Sequence, residues 1–265
     1  MAVAAPAQAD APRDNIATTV ALGVLAYICE TVGHEVVGHG SVCLLTGGRI
    51  TAVAPLWMHC SVETPVMVLA GPLFNLIFGG ACALAVRAWP RAGALSLFLW
   101  LSCAFNLLVA CGYLAVGGVT GFGDWPYALA GVQPAWAWRA AAAVLGLAGY
   151  VAALRLLGRL YLAIAGASGL QSGRLAGRTL LPAAGAAVVA CVAELAGGRI
   201  DLGGLALSLG CTLFVGWTLT RIEGLRLGRE PPAAASLLVS FQPAWIAAAA
   251  VASLLFIFLI GRTAA

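Results

Sequence analysis

Apolar residues in this chain gather into long blocks, near residues 16–45, 65–88, 94–118, 136–158, 179–197, 204–220 and 244–260. A helix that crosses the hydrocarbon core of a bilayer needs about 20 consecutive, mostly apolar residues, and each block is at or near that length. Short connections bearing Arg, Gly or Pro separate them. The pattern predicts an all-α integral membrane protein with six to seven transmembrane helices, six if one of the weaker blocks fails to span. The connection at 46–64 differs from the rest: it has Gly punctuation and short β-prone pieces around Pro55, which predicts a loop or small β-hairpin at the membrane face. The first fifteen residues are Ala/Pro-rich and lack a basic stretch followed by an apolar one, so 1–15 reads as a disordered tail and not a cleaved signal.

Composition agrees with the blocks. The chain is 62% hydrophobic and 9% charged, where soluble domains run near 45–50% and about 25%, and a water-soluble globule is excluded. All 14 basic residues are arginine. They form no basic stripe with interleaved aromatics, which excludes nucleic acid as a partner. Arginine without lysine in an Ala-rich chain resembles the usage of a GC-rich bacterial genome and points to a bacterial inner membrane. Arginines cluster after the second span (Arg87, Arg91), around the end of the fourth (Arg155, Arg159, Arg174, Arg178) and after the sixth (Arg221, Arg226, Arg229). These are alternate connections, so the positive-inside rule puts them and the N-terminus in the cytoplasm, and the 46–64 loop outside. Trp57, Trp89, Trp100, Trp125, Trp136 and Trp138 lie near span ends and read as an interfacial belt. Cys29, Cys82, Cys103, Cys111, Cys191 and Cys211, inside the apolar spans, read as small buried apolar residues, and Cys60, beside His59, is the one with a candidate ligand role.

Ionisable groups inside a bilayer cost roughly 2.5–3.5 kcal/mol each on insertion scales and mark function by default. Four sit together in the first span: Glu30, His34, Glu35 and His39. The stretch CETVGHEVVGHG reads as a metal-binding helix in which two imidazoles hold Zn²⁺ and the adjacent carboxylate acts on a bound water. The usual spacing is H-E-x-x-H, which puts both histidines on one helical face; here it is H-E-V-V-G-H, one residue longer. In a regular helix five residues turn through ~500°, leaving the rings ~140° apart. A single-turn π-bulge absorbs one residue, and Gly38 eases such a distortion. The six-residue form resembles the zinc helix of the dipeptidyl-peptidase III family. Other readings of the same cluster are a span that ends early and leaves these groups on a wet surface, groups that satisfy one another in a helix bundle, and a proton or ion path in a transporter or channel.

A wider pattern runs from HEVVGHGSVCLLTGGRI through the β-prone loop to AGPLFN, and it resembles the site-2 protease family of intramembrane zinc metalloproteases. The resemblance covers roughly residues 27–125. It implies a three-span core over 16–125, with additional transmembrane helices over 126–265. It also implies His34 and His39 as zinc ligands, Glu35 as general base, Asn75 as a residue that helps position the substrate backbone, and a later aspartate that completes the metal site. The family's Asn and Pro shortly before Leu-Asp-Gly are absent between Leu107 and Asp124. Asp124, in GFGDW, is the favoured third ligand, with His59 and Glu63 as rivals, and Asn75 and Asn106 double as residues that hydrogen-bond helices together. The implied activity is hydrolysis of a peptide bond in a membrane-spanning protein substrate, which the loop would hold by strand addition. The alternative is a non-catalytic relative that serves as a binding or assembly subunit. The spans after 126 read as a wrapping, a substrate gate, or a surface for a second copy or partner subunit. Many site-2 proteases open their metal site towards the cytosol, the opposite of the arginine-based orientation.

Overall fold

The computed structural model describes residues 13–54, 57–197, 202–225 and 237–260. Most of the expected N-terminal tail, Pro55, Arg226 and Arg229 lie outside these residues. In chain order the elements are α1 (Ile16–Val32), a π-helical segment (Gly33–Gly40), α2 (Ser41–Leu45), β1 (Ile50–Ala54), β2 (Trp57–Cys60), α3 (Pro65–Ala88), α4 (Ala94–Thr120), α5 (Asp124–Ala128), α6 (Ala135–Ala165), α7 (Ser172–Ala196), α8 (Leu202–Leu219) and α9 (Pro243–Leu255). Two 3₁₀ turns follow α6 and α8, and a second π turn continues α9.

Five helical stretches are long and apolar enough to cross a membrane: Ile16–Leu45, Pro65–Ala88, Ala94–Thr120, Ala135–Ala165 and Ser172–Ala196. The last two expected spans are shorter apolar helices, Ser208–Leu219 and Pro243–Phe258. This fits an all-α multi-pass membrane protein. The first apolar block is one continuous helical rod whose middle is wound as a π-helix.

Local chemistry sets the helix ends that matter for the site. Asn15 caps α1, its side chain accepting from the Thr18 N–H at 2.9 Å. The preceding Asp14 pairs with the buried guanidinium of Arg178 and accepts from the Val239 N–H. Residues 13–15 are therefore held in place, and the expected tail ends earlier than Asn15. Thr64 caps α3 and Pro65 supplies its first turn, a position where a missing N–H leaves no intrahelical bond unmade. The tail of α4 turns out through Gly121 (φ 74°) and Gly123 (φ 104°). These left-handed conformations are open to glycine and strained for other residues, and they start α5 at Asp124.

The connection after the first span is a two-stranded antiparallel hairpin, Ala54 opposite Trp57 and Ile50 opposite Cys60. Cys60 is joined by a disulfide to Cys43 of α2. This corrects the sequence expectation for Cys60: its sulfur is committed to a bond with Cys43 and not to a ligand role. The other six cysteines are free. Helix α1 packs against α4, α7 and α9, while α3 lies between the π-helical segment and α4. Trp100, expected in the interfacial belt, lies instead in the core: it is fully buried and its indole N–H donates to the Leu157 carbonyl at 2.9 Å.

Candidate metal centre

The six-residue spacing of the histidines finds its geometric answer in the π-helical segment. Bonds from i to i+5 place residues five apart nearly above one another, and the His34 and His39 rings come to 4.8 Å between centroids. The winding extends over eight residues, longer than a single-turn bulge. Gly38, within the π segment, has a second role beyond the one the sequence indicated. A Cβ there would sit 2.6 Å from the Gly71 Cα and 2.9 Å from the Ala70 oxygen, so its small size lets the π segment press directly on α3. Gly33 does the same against the Phe74 ring. Close crossing through small residues is the usual way membrane helices meet.

That crossing carries Asn75 to the ring of His34. The carboxamide of Asn75 is fully buried, and its two N–H groups donate to Glu30 Oε1 at 3.0 Å and Asn106 Oδ1 at 3.1 Å. Its oxygen is left to accept from His34 Nδ1 at 2.5 Å. Asn106 is oriented in turn by donating to the Ser102 carbonyl. His39 Nδ1 donates to the Met67 carbonyl at 2.9 Å. Both imidazoles thus carry their proton on Nδ1, because the partner there can only accept, and both present Nε2 inward. Asn75, expected beside the substrate, is instead enclosed, and its contacts fit the orientation of His34. Nothing short of the tertiary packing reveals the Glu30–Asn75–His34 chain, although Glu30, an acid one turn before His34, was a signal in the sequence.

Asp124 reaches the same point from α5. Its Oδ2 lies 3.1 Å from His34 Nε2 and 3.5 Å from His39 Nε2. Burial by itself raises the Asp124 carboxyl, but the two imidazoles outweigh it and hold the group below the usual carboxylate range. Two neutral Nε2 lone pairs and a carboxylate oxygen repel one another unless a cation lies among them, either protons on the rings or a metal ion. Ligand atoms of His34, Glu35 and His39 also fall within 4.8 Å of one another, so the cluster has the make-up of a metal site. Glu35 is buried, and its Oε2 has no hydrogen-bond partner among the described residues. Gly71 borders the centre: a Cβ there would lie 2.5 Å from His39 Nε2 and 2.7 Å from His34 Nε2. Its glycine keeps that space open. It stands inside α3.

The centre forms one wall of a cavity of about 620 Å³, which extends from Tyr27 and Glu30 past Tyr113 to the hairpin residues Trp57 and His59 and to Ser208 of α8. The Tyr113 hydroxyl accepts from the Asp124 N–H at 3.2 Å and so helps seat that residue. The rival ligands His59 and Glu63 stand at the mouth, paired with each other at 3.3 Å, and Glu63 also accepts from Tyr127 at 3.1 Å. That contact raises the Tyr127 phenol above its ordinary value. Comparison with protein-family models, curated proteins and solved structures gave no match. The functional reading therefore rests on this geometry.

Proposed function

We propose that the protein is an intramembrane zinc metallopeptidase, of the kind the site-2 protease resemblance implies, that hydrolyses a peptide bond of a membrane-embedded polypeptide. The observation that carries this is the convergence of His34 Nε2, His39 Nε2 and Asp124 Oδ2 beside the unpartnered Glu35 Oε2. Ligands at zinc's usual bond length of about 2.0–2.1 Å in a tetrahedron stand roughly 3.3–3.4 Å apart. The observed 3.1 Å and 3.5 Å edges to Asp124 fit that figure. Two imidazoles and one carboxylate also match the donor preference of zinc and leave a fourth position open.

A zinc ion held there would supply Lewis-acid polarisation of a carbonyl and a bound water with a pKa lowered to about 7. The chain's own groups do the rest. Glu35, adjacent to His34 and buried, accepts the proton of the attacking water and returns it to the amine as the C–N bond breaks. Asn75 and the Met67 carbonyl hold the two rings in the productive tautomer, as outer partners of metal-bound histidines generally do. Strand β2 lines the cavity with Trp57, Met58 and His59, so the hairpin stands where an extended substrate strand can be added beside it.

The experiment is a pair of variants assayed together for zinc content and for cleavage of a single-span reporter. Glu35→Gln keeps zinc and lowers cleavage by the ~10²–10⁴-fold that acid–base catalysis contributes. Asp124→Asn loses zinc and activity in parallel. Wild-type protein without zinc defeats the proposal; zinc-loaded wild type that cleaves no reporter gives the site to the non-catalytic alternative.

A further inference from the structure

The disulfide bears on which way the cavity faces. Cys43 follows His39 by one helical turn, and Cys60 adjoins His59 on the strand that lines the cavity. The bond therefore ties β2 to the end of the ligand-bearing helix. Disulfides form and persist in oxidising compartments and are rare where thiols are kept reduced. The hairpin end of the molecule then belongs on the extracytoplasmic side. The arginines say the same independently. Following the chain through successive spans, Arg87, Arg91, Arg155, Arg159, Arg174 and Arg221 fall at the end away from the hairpin; Arg178 lies there too, but as the buried partner of Asp14. Among the described residues, Arg49 and Arg139 fall at the hairpin end. Arg139 has a local reason to be there: it donates to the Gly118 and Val119 carbonyls at the end of α4, where a cation and a donor are both favourable. The bias of the remainder is the positive-inside pattern. Asp124 begins after the third span, which returns the chain to the hairpin side.

We infer that the metal-site cavity opens to the extracytoplasmic, oxidising side, and that the polypeptide it takes is a membrane-anchored one engaged at its extracytoplasmic juxtamembrane stretch. The substrate clause rests on the metallopeptidase proposal; the orientation does not. The Cys43–Cys60 bond forms only on that side, and it fixes β2 as a wall of the cavity. The orientation is opposite to the cytosol-facing one that the family resemblance carries.

The test uses the full chain in bacterial spheroplasts and a membrane-impermeant maleimide. Val132, 45% exposed between α5 and α6, and Trp89, 55% exposed after α3, are replaced singly by cysteine, and labelling is judged against the unsubstituted protein. Val132→Cys labels in intact spheroplasts, and Trp89→Cys labels only after lysis. Ala130→Cys replaces Val132→Cys if the latter is poorly made. In parallel, denatured wild-type protein titrated with a mass-tagged maleimide shows six reactive thiols before reduction and eight after, from the eight cysteines of the chain. Labelling in the reverse sense, or eight thiols before reduction, overturns the inference. Neither readout needs metal or cleavage. A correctly oriented protein that binds no zinc defeats the metallopeptidase proposal alone, and a zinc-loaded, cleaving protein that labels in reverse defeats this inference alone.

Discussion

Replacing Gly71 with alanine adds a single methyl group at the centre of the proposed metal site. The added carbon would fall 2.5 Å from His39 Nε2, 2.6 Å from His39 Cε1 and 2.7 Å from His34 Nε2. Ordinary non-bonded contact for such atoms is about 3.5 Å or more, so the methyl group and the two rings must separate by roughly 0.8–1 Å. Metal ligation tolerates errors of about 0.2 Å, several times less. Backbone on both sides resists the shift, because Gly38 already packs against the Gly71 Cα. The strain of overpacking is about 1–3 kcal/mol, enough to lower the melting temperature and not to unfold the protein outright. Gly71→Ala should therefore remain folded in detergent and bind zinc at least ~100-fold more weakly, the upper end of what losing a supporting partner produces. Gly80→Ala, on the same helix with nothing within 4 Å of its added Cβ, is the control: it keeps wild-type zinc affinity and gains about 0.5–1 kcal/mol from helix propensity. The assay is elemental analysis combined with competition against a chromophoric chelator. A folded Gly71→Ala protein with wild-type zinc affinity would refute the placement of the metal between the two Nε2 atoms.

Asn75→Ala removes the acceptor that holds His34 in its tautomer, and zinc affinity should fall ~10–100-fold, measured by the same competition; unchanged affinity would return Asn75 to a helix-gluing role. Deleting Val37, a half-exposed residue of the π segment, should convert the segment to a regular helix with the rings ~40° apart and leave zinc bound. Loss of zinc from a folded deletion protein would show that the π winding itself is required. Asp14→Ala strands the buried Arg178 guanidinium and should destabilise by about 3–5 kcal/mol without changing zinc content per folded chain; a thermal melt equal to wild type would count against that pairing as a structural tie.

The helical membrane character follows from the sequence alone, because runs of about 20 apolar residues can bury their backbone polar groups in lipid only as helices. The donor set of HEVVGH was legible as well: two imidazoles and a carboxylate on one stretch of helix that could hold a metal ion, and the extra residue itself called for the local rewinding seen at Gly33–Gly40. The fold as a whole was harder to read at its ends. Asp14 looked like part of a tail because its partner, Arg178, lies more than 160 residues away. What only the tertiary structure decided are relations between distant segments. The pairing of Cys43 with Cys60 depends on how the hairpin folds back on α2, which spacing does not specify. The part played by Asn75 depends on the depth at which α3 crosses the π segment, set by Gly33, Gly38 and Gly71 together. Asp124 faces the two histidines because the glycine turn after α4 returns the chain to the same end of the bundle. Sequence patterns record the chemistry of a residue and its helical phase; which side chains share a point in space is fixed by the packing of helices against one another.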